Sequence, residues 1–284
     1  MTAALPLEAL DRRAFWTTQL EAAHAFMQRM FEYPVKESGE PAVSLREAAR
    51  AAGVTVVFSD TKIAGSYPRH FLLREGLIPA FVAAARDMNR RGWILKVEDG
   101  YRTTEMQKNL SLAPYVLDKV LAKVIWELGG EIPSPELFFS RLMVLTATAP
   151  KIGTHMSASA IDISVLRRGV GAELDRGGPY IEMSELTPML SPFISAEATR
   201  NRAMISLVMG AHGFMAYPYE FWHYSQGDAY DEFLTGSGRP ARYGAVDIDL
   251  ETGRITPVAN PRASLHTPAD FQQAMEKALE RLHP

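Results

Sequence analysis

Seven histidines and no cysteine leave imidazole and carboxylate groups as the material for metal or acid–base chemistry in this 284-residue chain. Without cysteine there are no disulfides, thiolate metal sites or cysteine nucleophiles. His155 lies in Gly153-Thr154-His155-Met156-Ser157-Ala158-Ser159-Ala160-Ile161-Asp162, a run of small residues that enters an aliphatic strand through a carboxylate. Between Ile161 and Ile163, Asp162 is costly unless it is paired or bound to a cation. On a straight helix seven residues would separate His155 from Asp162 by ~10 Å, so a shared ion requires the chain to bend between them. Small residues permit that bend. Taken alone, the segment reads equally as an Asp capping a turn beside an unrelated His.

A second group is Tyr219-Glu220-Phe221-Trp222-His223-Tyr224, where Glu220 and His223 stand three apart among aromatics. Apolar walls raise a carboxyl pKa and exclude competing water, which suits a general base beside a metal. An edge strand with two polar positions facing solvent would give the same pattern. A third group, Glu98 to Thr103, carries Arg102 at a turn, where its planar fork could bind a carboxylate or an oxyanion. A surface ion pair explains that arginine as well. His24, His70, His266 and His283 read as surface or structural residues, and His212, just before Gly213, as a helix-end cap.

The elements that must position these groups follow from periodicity and punctuation. A first helix spans 7–33, with Leu7, Leu10, Ala14, Leu20, Ala23, Met27 and Met30 on one side, and stops near Pro34. A short helix from Leu45 to Ala52 ends at Gly53 and leads into a strand from Val54 to Phe58. A helix from Arg74 to Arg91 precedes a strand from Trp93 to Val97, which turns at Asp99-Gly100. Thr104 to Gln107 reads as a capping box opening a stripe of Leu117, Val120, Leu121, Val124 and Leu128. Ser134-Pro135-Glu136 starts another helix. Strands are expected over Ile161–Val165 and Glu220–Ser225, with a helix over Ser195–His212 between them. A hairpin about Glu251-Thr252-Gly253 and a last helix capped at Thr267 complete the chain. Helices crowd the first half and mostly antiparallel strands the second, an α+β class.

Composition excludes further classes. With 47% hydrophobic and 22% charged residues the chain is globular, and 30 Lys+Arg against 33 Asp+Glu leave no basic field for nucleic acid. Glu8, Asp11, Arg12 and Arg13 interrupt any apolar leader, and the most apolar runs fall short of the ~20 residues that a membrane crossing needs. The expectation is a cytoplasmic protein with a small ligand and neither nucleic-acid nor membrane partners.

Together the three groups resemble the zinc D-Ala-D-Ala dipeptidase and carboxypeptidase family (peptidase family M15). Its marks are a Tyr-Arg turn, a Ser-x-His-x-x-Gly-x-Ala-x-Asp segment and a Glu-x-Trp-His segment. Here they stand as Gly100-Tyr101-Arg102 with Gln107 downstream, the His155 to Asp162 segment, and Glu220-Phe221-Trp222-His223. Asn201-Arg202, Met209, Gly213-Phe214 and Glu220 to Asp228 look closer to the dipeptidase branch, and the likeness covers roughly residues 65–230. The resemblance implies that His155, Asp162 and His223 hold Zn²⁺, that Glu220 is the catalytic base and that Arg102 steadies the oxyanion. It implies a hedgehog/D-Ala-D-Ala peptidase-like α+β fold: a small, mostly antiparallel sheet with flanking helices and the zinc site at the sheet edge. Residues 1–60 would be a helical extension packed on a peptidase domain of residues 61–284. The substrate would be a small peptide.

Three positions depart from the pattern: Gly153 replaces the family's Ser, Ala158 its Gly, and Ile181 an Asp expected to meet the substrate's ammonium. Glu182 would face the other way if its segment were extended. The alternatives are a muropeptide carboxypeptidase or a peptidase for an amine-blocked substrate, then a non-haem Fe(II) oxygenase with the same His/Asp set, then a non-catalytic zinc-binding module.

Overall fold

A computed structural model describes residues 11–282. The predicted start of the first helix, with Leu7 and Leu10, and His283 lie outside the described residues. In chain order the elements begin with α1 (Arg12–Glu32), β1 (Ala42–Ser44), α2 (Leu45–Ala51), β2 (Val56–Phe58), β3 (Leu72–Arg74) and α3 (Ile78–Arg90). Next come β4 (Trp93–Asp99), α4 (Thr104–Ser111), α5 (Pro114–Glu127), α6 (Pro135–Thr146) and β5 (Ala160–Arg167). The chain closes with α7 (Ala196–Ala211), β6 (Met215–Ala216), β7 (His223–Ser225), α8 (Ala229–Leu234), β8 (Val246–Ile248), β9 (Ile255–Pro257) and α9 (Pro268–Leu282).

Among the described residues five strands form the main sheet in the order β2-β4-β5-β7-β6, with β2–β4 parallel and the other three pairs antiparallel. The fold is α+β with a mostly antiparallel sheet, as its sequence reads. Side chains alternate along β5. Ile161, Ile163 and Val165 are fully buried in a core with Phe81, Ala84 and Met88 of α3 and Ile205, Val208 and Met209 of α7. Asp162 therefore points to the opposite face. There a second helical layer is built by α5, α6 and α9 around Leu117, Val120, Phe138, Leu142 and Phe271. Phe26, Met27 and Met30 of α1 join Ile152, Tyr217 and Tyr230 in a third cluster. No described helix is long and apolar enough to cross a membrane.

Several local expectations change. The buried face of α1 includes Trp16 and Phe26, while Ala14 is exposed. Arg74 does not start α3. It ends β3 fully buried, its Nε donating to the Ser157 carbonyl at 2.6 Å and its guanidinium meeting Glu37 at 2.9 Å. A single turn over Glu75–Leu77 follows, and α3 starts at Ile78 with Pro79 in its first turn, where a missing N–H costs nothing. The cap of α4 is Thr103, not Thr104: its extended backbone lets its hydroxyl accept from Met106 N at 3.1 Å. The expected single stripe is two helices, because the proline ring of Pro114 cannot continue α4. Only His223–Ser225 of the Glu220 segment is strand, since a turn closes from His223 N to the Glu220 carbonyl at 3.2 Å.

Strands β4 and β5 slip past each other by one residue. Val97 pairs with Ile163, but Asp99 pairs with Asp162, leaving Glu98 extra and bound to Lys96 at 2.8 Å. Immediately after this bulge, Gly100 passes so close to the preceding strand that a Cβ would lie 2.8 Å from the His70 carbonyl oxygen. The three nearest atoms, from His70, Phe71 and Leu72, are all backbone, so none can swing aside. Gly100→Ala should lower the unfolding free energy by about 1–3 kcal/mol, read from urea denaturation midpoints. A change under ~0.5 kcal/mol, the usual scatter for neutral surface sites, would contradict this packing.

Candidate metal centre

Strand register does most of the assembly. Asp99 of β4 lies opposite Asp162 of β5, and Asp162 lies opposite His223 of β7, so three chemical groups share one row. The row crosses the three inner strands of the sheet, with β2 and β6 outside them. His155 comes from a short turn, Thr154–Ser157, that ends at Ala158 with a left-handed φ of +53°. That reversal folds the chain back, and His155 meets a carboxylate seven residues ahead of it.

His155 Nε2 lies 3.2 Å and His223 Nδ1 2.9 Å from the same oxygen, Oδ1 of Asp162. One ligand atom from each residue falls within 4.8 Å of the others, and all three residues are buried. The imidazoles meet edge to face, 4.9 Å between centroids. His155 Nδ1 is 2.7 Å from the Gly100 carbonyl, which can only accept, so Nδ1 carries the proton. In the neutral ring, Nε2 then aims a lone pair at a carboxylate oxygen. Two acceptors tolerate that approach only with a proton or a metal ion between them. His223 has its outer nitrogen on Thr154 Oγ1 at 2.9 Å. Two imidazoles, each tied through its far nitrogen, and one carboxylate form an N/O donor set of the type that holds Zn²⁺ with a position left open.

Burial alone would raise the Asp162 pKa, but His155 and then His223 outweigh it and hold the carboxyl well below its usual range. Arg102 lies beside this cluster. Its Nε donates to Asp99 Oδ2 at 2.8 Å, Nη2 pairs ionically with the same oxygen at 2.7 Å, Nη1 donates to Gln107 at 3.1 Å, and Nη2 is 3.7 Å from Asp162 Oδ2. Burial opposes its charge, and Asp99 foremost raises its pKa above the ordinary value. A guanidinium has five N–H groups; these contacts leave at least one on each terminal nitrogen for a ligand. Arg69 reaches the same Asp99 oxygen at 3.1 Å. Gln107 is itself fixed, through Nε2, to the carbonyls of Thr146 and Ala147.

One cleft joins Arg102, Gln107, His155, Asp162, Glu220 and His223. Burial pushes the Glu220 carboxyl up to about 7, with His223 acting in the opposite direction. The opposite wall is apolar: Leu110, Val116, Leu145, Ile181 and Met183, with Met27 of α1. Asp162 and Glu220 are the only acidic residues lining it among the described residues.

Thus the five residues singled out in the sequence line one cleft. Four other described histidines have partners elsewhere: His24 with Ser140 and Gln28, His212 with Asp87, and His266 with Ser111 and Lys108. His70 pairs by backbone with Tyr101. The segment around Ile181 is a turn and not a strand. Ile181 has φ +59°, and Glu182 lies outside the cleft lining. Asp99 as the anchor of Arg102, and Tyr180, whose hydroxyl donates to Asp162 Oδ2 at 2.9 Å, escaped the sequence reading. The three-residue spacing from Asp99 to Arg102 was a usable signal for the first.

Residues 138–237 match the family model described as D-Ala-D-Ala dipeptidase. A D-alanyl-D-alanine dipeptidase of Synechocystis is 25% identical over 183 residues, 55% of this chain and 70% of that protein. Its Escherichia coli counterpart is 34% identical over 70 residues, 25% of this chain and 36% of that protein. The Enterococcus faecium dipeptidase is 32% identical over 71 residues, so the chain spans about a third of the length of these last two. A zinc-bound crystal structure of a vancomycin-resistance D,D-pentapeptidase superposes with TM-score 0.37 at 15% identity, covering 68% of this chain and 82% of that one.

Proposed function

We propose that this chain, a member of the D-Ala-D-Ala dipeptidase family of peptidases, is a zinc enzyme that splits a dipeptide or releases the last residue of a short peptide. The observation that carries this reading is the His155–Asp162–His223 donor set, with the His155 proton directed away to Gly100, in one cleft with Glu220. When bound, zinc supplies a Lewis acid toward the scissile carbonyl and makes water a competent nucleophile near neutral pH. Glu220, a partly buried carboxylate, accepts the proton of the attacking water and delivers it to the leaving amine nitrogen. Arg102 offers its free N–H groups to the oxygen that gains negative charge. Asp99 and Gln107 hold the guanidinium in place, so that stabilisation needs no rearrangement. In this assignment residues 61–284 are the peptidase domain and residues 1–60 an extension, whose described part packs on it and lends β2 to the main sheet. An oxygenase would give Glu220 no task, and a non-catalytic zinc module would need neither Glu220 nor Arg102.

A second reading within the same chemistry concerns the amino end of the substrate. Among the described residues no acidic residue lines the cleft besides Asp162 and Glu220, and Ile181 forms its wall. Ile181 also adopts φ +59°, which is strained for a β-branched residue and easier for Asp. A free ammonium here would lose its hydration with no charge to replace it. An acyl- or amide-blocked amino end fits this wall better.

Purified protein should hold about one zinc per chain, and His155→Ala or His223→Ala should abolish it without loss of helical circular dichroism. Metal analysis that finds zinc unchanged in both variants would overturn the ligand set. Glu220→Gln should keep zinc while turnover falls by roughly 10²–10⁴, and near-parental kcat would require another base. For the amino end, kcat/KM for free and N-acetylated D-Ala-D-Ala is compared. The parent should favour the acetylated substrate and Ile181→Asp should shift preference toward the free one; a parent that prefers the free dipeptide contradicts the second reading.

A further inference from the structure

Tyr180 is a polar group at the centre to which the mechanism above assigns no task. Its hydroxyl donates to Oδ2 of Asp162 at 2.9 Å, whereas both imidazoles face Oδ1. Arg102 stands farther from Oδ2, at 3.7 Å, beyond hydrogen-bonding distance. Tyr180 is therefore the direct hydrogen-bond donor to that oxygen among the described residues. Its ring is held on two sides, edge to face with Trp222 at 5.8 Å and under the Arg69 guanidinium at 5.8 Å. The turn that presents it is tightly built. Gly177 has φ +82°, and a Cβ there would lie 2.3 Å from Ile194, while Ile181 keeps a left-handed backbone. Strain of this kind persists where the surroundings over-determine the conformation.

A carboxylate has two equivalent oxygens and turns about one bond. Left free, Asp162 could present both oxygens to a cation or swing toward Arg102. With Oδ2 occupied by an O–H donor, only Oδ1 remains directed between His155 and His223. We infer that Tyr180 is a positioning residue for the metal centre: its hydroxyl fixes Asp162 as a one-oxygen ligand and thereby sets the affinity for the cation. Hydrogen-bond partners of metal ligands typically contribute 10- to 100-fold in metal affinity. The inference rests on the zinc reading and adds to it a residue that touches neither metal nor substrate.

Tyr180→Phe removes the hydroxyl and keeps the ring against Trp222 and Arg69. Zinc affinity is measured for parent and variant by competition with a fluorescent zinc chelator. Cobalt(II) is then substituted for zinc and the visible absorption recorded, alongside the thermal midpoint of each metal-free protein. The expected result is zinc affinity weaker by 10- to 100-fold, an altered cobalt spectrum and an unchanged metal-free midpoint. Parental affinity and an unaltered cobalt spectrum would overturn the inference while leaving the zinc reading intact. Weakened binding that merely tracks a lower metal-free midpoint would assign Tyr180 a structural role and also overturn it. A parent that binds no zinc would overturn the zinc reading itself.

Discussion

A carboxylate buried in the middle of a sheet is the feature around which the rest of this molecule is arranged. Asp162 is 2% exposed on β5, between strands that pair on both sides of it. Such a charge is tolerated only with cationic or hydrogen-bonding partners directed at it. The chain supplies them from four separate segments: His155 from a turn, His223 from β7, Tyr180 from the Gly177–Glu182 turn and Arg102 from beyond β4. The problem is sharpened by Asp99, which the bulge in β4 places directly across from Asp162. Like charges in cross-strand register repel, and Arg102 sits between them, 2.7 Å from one and 3.7 Å from the other. The arginine proposed to offer N–H groups to a substrate oxygen is thus also a structural counter-charge.

The same turn serves both ends of the site. The Gly100 carbonyl accepts the His155 Nδ1 proton, Asp99 grips Arg102, and Arg102 N donates to the His155 carbonyl at 3.2 Å. His155 and Arg102, the proposed metal ligand and oxyanion donor, are therefore tied together through the Asp99–Arg102 turn. The outer walls come from elsewhere. Leu110 and Val116, at the junction of α4 and α5, Leu145 of α6 and Met27 of α1 line the apolar side, so a helix far away in sequence takes part in shaping the cleft.

Much of this was legible from residue types. An Asp between two isoleucines, a His near the start of a small-residue run and a Glu-x-x-His among aromatics each signal an expense that needs a purpose, and all of them line one cleft. Helix starts with a local mechanism were equally clear: Ser134 caps α6 as read, and the helix expected from Ser195 is α7, which that serine caps. What escaped depends on register or on backbone handedness. Tyr180 meets Asp162 from a turn in which Ile181 adopts a left-handed conformation, which nothing in a β-branched residue announces. Asp99 faces Asp162 only because Glu98 is extruded from the ladder. Glu220 sits in a turn and not in a strand because its carbonyl is taken by His223 N. The aromatic alternation of that segment mimics a strand period while packing a bend.

The account turns on a cation held by one oxygen of Asp162 and two imidazoles. Anomalous diffraction from zinc-soaked crystals, recorded on both sides of the zinc absorption edge, tests it most directly. One strong peak bonded to His155 Nε2, Asp162 Oδ1 and His223 Nδ1 is the predicted result. A peak elsewhere, or full zinc occupancy with any of these three atoms turned away from it, would contradict the account.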